Sequence, residues 1–384
     1  MKFAVPLTKE LSIERDGFTY KKVVYNPPLS LNGVTDEDYP IYSDDDTYNT
    51  GDYVIVPELK TIYRCTADNT KGVFPPASPD IWVDFGFVNS YKMLSTDEQI
   101  GAQTIGNNIE MKIEFNRCDT IGLVNTHFGN LLLEEVDEDA GYVTGEDVGT
   151  GDGNTKEFYL DNKNVANKSE TIYKNGTALT RDEDYTIDYW EGKITFNTAP
   201  DDGDEIKADY TKTKIKEIIS GRDIGCTSLT EYFYDEIREK TRVIITNLEW
   251  LPNATLRLYF NYTSDIKIGS LVIGLLRPLG ITLMGTELRF EDRSKIANDE
   301  FTDTRKVIRY GHIRVLRGKV LFDNADFNVT AQKISEIIGK NILFVPDEKD
   351  KFSEMTNIAY IEEFDMPIEN PVKFQTSITL IGVA

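Results

Sequence analysis

Two histidines, His127 and His312, are the only imidazole bases in the chain. Nucleophilic catalysis needs such a base within hydrogen-bond reach of a Ser or Cys. His127 follows an apolar run and precedes Phe128-Gly129, the pattern of a strand end or turn; His312 lies in the alternating stretch 310–315, the pattern of a strand. No G-x-S-x-G, H-E-x-x-H or phosphate-binding loop is present, and no G-x-G-x-x-G follows a strand. Cys65, Cys118 and Cys226 stand far apart with no C-x-x-C pair. That fits reduced, buried thiols in a protein made in a cytosol rather than a zinc or redox motif. Paired carboxylates are the remaining acid–base option, but 65 acidic residues produce chance pairs everywhere and single out none for glycoside hydrolysis. The acidic runs 44–46 and 201–204 are the calcium candidates, and neither has EF-hand spacing. The expectation is a non-enzymatic chain with no catalytic residue, no metal and no cofactor.

The denser signal is aromatic. Tyr53, Tyr63, Phe74, Trp82 and Phe85 crowd into residues 41–88. Two readings stand side by side. A unit this small can use the rings as its own core, or it can present some of them to sugar rings, whose C–H faces are apolar. Tyr53, Tyr63 and Trp82 are the carbohydrate-binding candidates, and exposure of Trp82 decides between the readings.

These residues need elements to hold them. A chain of 384 residues holds about two to four domains, and its abundant Tyr and Phe favour strands. A net charge of −23 repels nucleic acid and anionic lipid, so neither nucleic acid nor membrane is expected as a partner. The opening MKFAVPLTKELSIERDG has only a short apolar patch broken by Pro6, and the longest apolar run, 268–276, is too short to cross a bilayer.

Residues 1–40 read as a leading arm with one or two strands. Residues 41–88 read as a small β-module whose Pro75, Pro76 and Pro79 force an irregular loop before Trp82. Residues 89–142 and 213–278 read as one discontinuous β-sandwich body. In it, Ile109, Met111, Ile113 and Phe115 share one strand face and Glu110, Lys112 and Glu114 the other; the stretch 118–125 is evenly apolar, as a strand covered on both faces would be. Residues 143–212 read as an inserted all-β module of short strands, with the hairpin signal Asn175-Gly176. Residues 279–384 read as a β-rich domain with one helix over 328–339, capped by Asn328 and stopped by Gly339, with Val329, Ile334, Ile337 and Ile338 on one face. The fold class is thus mainly β and multi-domain.

Three resemblances extend this reading. The segment Tyr48-x-x-Gly51-Asp52-x-Val54, Tyr63-Arg64-Cys65, Asn69, Pro75-Pro76, Pro79 and Trp82 resembles a chitin-binding type of carbohydrate-binding module; where many members carry an early Trp, this chain has Tyr48. The frame Gly149 to Gly153, Phe158-x-Leu160, Tyr173 to Gly176, Asp184 to Asp188, Ile194-Thr-Phe196 and Gly203-Asp204 looks like a β-unit found in phage virion proteins. The body, through Asn89-x-Tyr91-Lys92-Met93, 118–125, 231–235 and 268–274, looks like a galactose-binding-like jelly roll of tailed-phage structural proteins; stretches of 299–378 look like the same virion family. The resemblances imply a structural component of a tailed-phage virion (tail, neck or collar), assembled in the bacterial host cytoplasm. Its implied partners are other tail or neck proteins, further copies of itself, and host surface glycan. The alternatives are a host-glycan receptor-binding protein and a glycan-degrading enzyme. Tyr232, Phe233 and Tyr234 are candidate interface anchors.

Overall fold

The computed structural model describes residues 1–95, 103–223, 238–246, 248–292, 294–299, 304–308, 312–323, 327–346, 355–365 and 373–382. Cys226 and the expected anchors Tyr232, Phe233 and Tyr234 lie outside the described residues. The protein is mainly β, with 57% of residues in strands and 7% helical, built as a β-sandwich with small inserted modules.

The first forty residues, read as a leading arm with one or two strands, contain four. They supply four strands to three different units: Lys2–Pro6 (β1), Thr8–Arg15 (β2), Phe18–Tyr25 (β3) and Ser30–Val34 (β4). β1 lies between the Ile266–Pro278 and Ile342–Val345 strands. β2 and β3 form a hairpin that sends Leu11, Ile13 and Tyr20 against the core of the 41–88 module. β4 is an edge strand of the body, paired with Thr104–Glu114.

One face of the body runs β4, Thr104–Glu114, Ala254–Asn261, Asn130–Asp137, Ile215–Ser220, all antiparallel. The other runs Arg242–Ile245, Thr120–His127, Ile266–Pro278. Thr104–Glu114 joins them, pairing Glu110–Glu114 with Ala254–Asn261 and Thr104–Gly106 with Ile266–Ile268. The expected alternation holds: Ile109, Met111, Ile113 and Phe115 are buried in the sandwich core with Leu131, Leu133, Leu256, Leu258 and Phe260. Each such side chain contributes roughly 1.5–3 kcal/mol by leaving water.

The evenly apolar stretch 118–125 is covered on both faces, and Gly122 shows how. A Cβ built there would meet Leu343 Cδ2 at 2.5 Å, so Leu343 of the C-terminal domain packs directly on this strand at the space left by the missing side chain. That domain continues the sheet through β1 in the order Ile342–Val345, Asn357–Phe364, Lys373–Gly382, His312–Asp323. The helix spans Phe327–Ile337. Its buried face is Thr330, Ile334 and Ile337; Val329 and Ile338, expected on that face, are exposed, because each lies one position, about 100° of helical rotation, off the buried row.

The inserted 143–212 module has its own core of Phe158, Leu160, Val165, Ile172, Tyr185, Ile194, Phe196, Ile206 and Tyr210. Asn175 and Gly176 take φ of 50° and 78°, the paired positive values of the expected two-residue hairpin turn. The module's first and last strands pair at Tyr142 with Thr211, so the chain enters and leaves it side by side.

Candidate functional site

The 41–88 module is a three-stranded sheet of Tyr53–Val56, Thr61–Cys65 and Trp82–Phe87. Its two faces sort the aromatic residues. Tyr53 is directly opposite Arg64, and Val54 opposite Tyr63. Strand alternation therefore puts Tyr63 on the inner face with Val54, and Tyr53 on the outer face with Arg64.

Trp82 is 1% exposed. Its indole N–H donates to the Val73 carbonyl at 2.9 Å, and its ring meets Tyr48 edge-on at 5.3 Å. Tyr63 is buried too, and burial pushes its phenol well above the usual range. These two candidates are core: three short strands have little else to fill their interior. The expected platform of Tyr53, Tyr63 and Trp82 is not formed at the surface, since only Tyr53 faces outward.

A different aromatic face exists on the outside. Tyr53 stacks on Tyr39 at 5.0 Å and meets Phe85 edge-on at 5.0 Å, while the Arg64 guanidinium stands 5.9 Å from its ring centre. Phe85 and Val83 are about half exposed. The register places Asp84 opposite Tyr63 and Gly86 opposite Ile62, so Phe85 is the extra residue of a bulge. Its signal was present in the sequence: Val83 and Phe85 alternate with the buried Trp82, and Gly86, at φ 108°, marks the irregularity. Tyr39 sits outside the expected module boundary and carried no comparable signal.

The module is clamped from behind. Arg15 of β2 lies 4.4 Å over Phe74 and pairs with Asp44, whose carboxyl it holds below the usual range. Asp44 also accepts the Tyr42 hydroxyl at 2.8 Å. The 44–46 acidic run thus serves a clamp. The second acidic run closes a turn: Asp204 accepts the Asn175 side-chain amide at 2.6 Å and the Asp201 amide at 2.9 Å. Among the described residues, no group of three His, Cys, Asp or Glu converges to hold a metal ion.

A second polar site, unmarked in the sequence, seats the 143–212 module on the outer face of the body. Glu134 and Lys216 form a fully buried pair at 3.0 Å. Both Glu134 oxygens accept the Asn167 amide, at 2.9 and 3.0 Å, and Lys216 donates to the Val165 carbonyl at 2.6 Å. Lys216 Nζ also lies 5.3 Å from the Tyr189 ring and 5.2 Å from the Trp190 ring. Glu110, on the strand's expected outer face, pairs with Lys168 at the rim. On the opposite side of Asn130–Asp137, the strand that carries Glu134, Glu135 points into the core beside Glu249, and burial pushes its carboxyl up to about 7.

His127 ends its strand, with Nδ1 2.5 Å from Glu239 and its ring edge-on to Tyr262 at 4.9 Å. Tyr262 accepts a hydrogen bond from Arg222 at 2.7 Å and donates to Glu239 at 3.2 Å. This network ties the Arg222–Asp223 and Arg238–Glu239 strands to the end of the sandwich. His312 is exposed beside Phe290. Cys65 and Cys118 are free and buried, and burial pushes the Cys118 thiol up to about 12.

Compared with known proteins, the chain matches no protein-family model, and no curated protein matches it.

Proposed function

We propose that this chain is a non-enzymatic structural component of a tailed-phage virion, at the tail, neck or collar, that holds two small β-modules in fixed positions for docking to neighbouring subunits. The observation that carries the scaffold part is the seating of the modules. One is locked by the buried Glu134–Lys216 pair, and the other is gripped by Arg15 and the β2–β3 hairpin. Each module is thus held on its neighbours by side-chain packing and ion pairs as well as by its chain connections. The particle itself is argued from the sequence resemblances. Its partners are other tail or neck proteins and further copies of the chain, with weak contacts multiplied by repetition. Mass spectrometry of purified particles tests this. The protein is expected in stoichiometric amount, and its absence would overturn the virion reading.

The outer face of Tyr39, Tyr53, Phe85 and Arg64 favours a second reading, attachment to host surface glycan. Retention of the protein on host cell-wall polysaccharide, lost in Phe85→Ala, is the expected result. Equal retention of both proteins would exclude this face.

A further inference from the structure

We propose that the slot filled by β1 accepts β1 of a second copy of this chain, so that copies link by exchanging this strand. β1 is the strand through which the body sheet continues into the C-terminal sheet. Residues 2–6 pair with 278–274 on one edge, and residues 2–4 pair with 345–343 on the other. Its side chains are divided between two cores: Met1 and Phe3 pack in the C-terminal one and Ala4 in the body. The Met1 ammonium donates to the Gly280 carbonyl at 2.6 Å.

The slot is shaped for this strand. A Cβ at Gly318 would meet Met1 Cε at 2.6 Å, and one at Gly274 would meet the Val5 carbonyl oxygen at 2.8 Å. Left empty, it would expose two unpaired strand edges and an apolar hole the size of Phe3. Such edges are templates for another strand, and the one that meets both registers and both glycine gaps is β1 itself.

The connection permits the exchange. A single residue, Leu7, separates β1 from β2. Among the described residues β2 pairs with β3 alone, and it packs on the 41–88 module. The Leu7 N–H donates to the Ile273 carbonyl at 3.0 Å and its carbonyl accepts the Asn26 N–H at 2.9 Å, so swinging β1 out breaks the first bond along with the strand pairing, while the second keeps Leu7 on the hairpin. The exchanged and closed forms make the same slot contacts. Their balance is set by the hinge and by the local concentration of copies, which an assembly raises. This inference does not require the virion reading; it applies wherever copies meet.

Two experiments test it. Deleting Leu7 shortens the hinge and is expected to turn the protein into a folded dimer by light scattering, while a Gly-Gly insertion after Leu7 leaves it monomeric. A folded monomer after the deletion would overturn the proposal. If the deletion variant does not fold, a fluorescent peptide of residues 1–9 incubated with the intact chain decides. Incorporation is expected, and about 100-fold less with Phe3→Asp in the peptide, since a charge would enter the core. No more incorporation of the native peptide than of the Phe3→Asp peptide would also overturn it.

Discussion

Glu135→Gln is expected to stabilise the protein at alkaline pH and to leave it nearly unchanged at acid pH. Glu135 is fully buried; one oxygen accepts the Glu249 amide at 3.1 Å and the other has no hydrogen-bond partner among the described residues. Burial, reinforced by the Glu249 carboxylate, pushes its carboxyl from 4.5 up to about 7, against the opposing pull of that amide and of Lys214. Between those two values the folded protein holds a proton that the unfolded chain has released. Stability from this site is therefore complete below the ordinary carboxylate range, falls as pH rises toward the folded value, and is constant above it. At about 1.4 kcal/mol per pKa unit, the loss across the window is on the order of 3 kcal/mol. Glutamine keeps the acceptor oxygen and cannot ionise. Urea unfolding of both proteins at about pH 4 and about pH 8 is the assay. The two midpoints should coincide at the lower pH, with the Gln variant higher at the upper one. A parallel pH dependence in the two proteins would refute a protonated, buried Glu135.

Lys216→Met leaves Glu134 buried without its cation and should cost about 3–5 kcal/mol, whereas Lys216→Met with Glu134→Leu should recover much of that loss; thermal unfolding of the single and double variants checks it. Trp82→Ala should cost about 3–5 kcal/mol and Phe85→Ala less than about 1, by the same measurement, because one ring is core and the other half exposed. The opposite ranking would reverse the assignment of faces. Gly122→Ala should cost about 1–3 kcal/mol through its clash with Leu343, and adding Leu343→Ala should relieve the clash while opening space; a double-mutant cycle reads the coupling.

Much of the fold was legible because local patterns carry it. The alternation over 109–115 and the turn at Asn175-Gly176 each act within a few residues, and the structure forms both as expected. What escaped was set by distant partners. Met1–Pro6 looks like a stray apolar patch until strands from 274–278 and 343–345 close on it. Residues 131–136 read as a strand covered on both faces, but nothing local says what covers Glu134 and Glu135: one meets Lys216 and the other turns into the core. In the 41–88 module, the aromatic cluster was visible but its sorting was not. Which ring of Tyr53 and Tyr63 faces inward depends on which residues pair across the strands, Tyr53 with Arg64 and Val54 with Tyr63, and on which face the β2–β3 hairpin covers.

The side-by-side strands at Tyr142 and Thr211 have a consequence for descent and for engineering. The flanking strands Asn130–Asp137 and Ile215–Ser220 are themselves adjacent, with Glu135 opposite Ile215, so residues 142–211 hang from what is otherwise an ordinary hairpin tip. Such a cassette can be gained, lost or traded in one genetic event without rerouting the parent. Removing it would return Glu134 and Lys216 to water, where an ion pair needs no cover, and would free Glu110 of its Lys168 partner at the rim. The same site is therefore a ready port for grafting another small domain onto this scaffold.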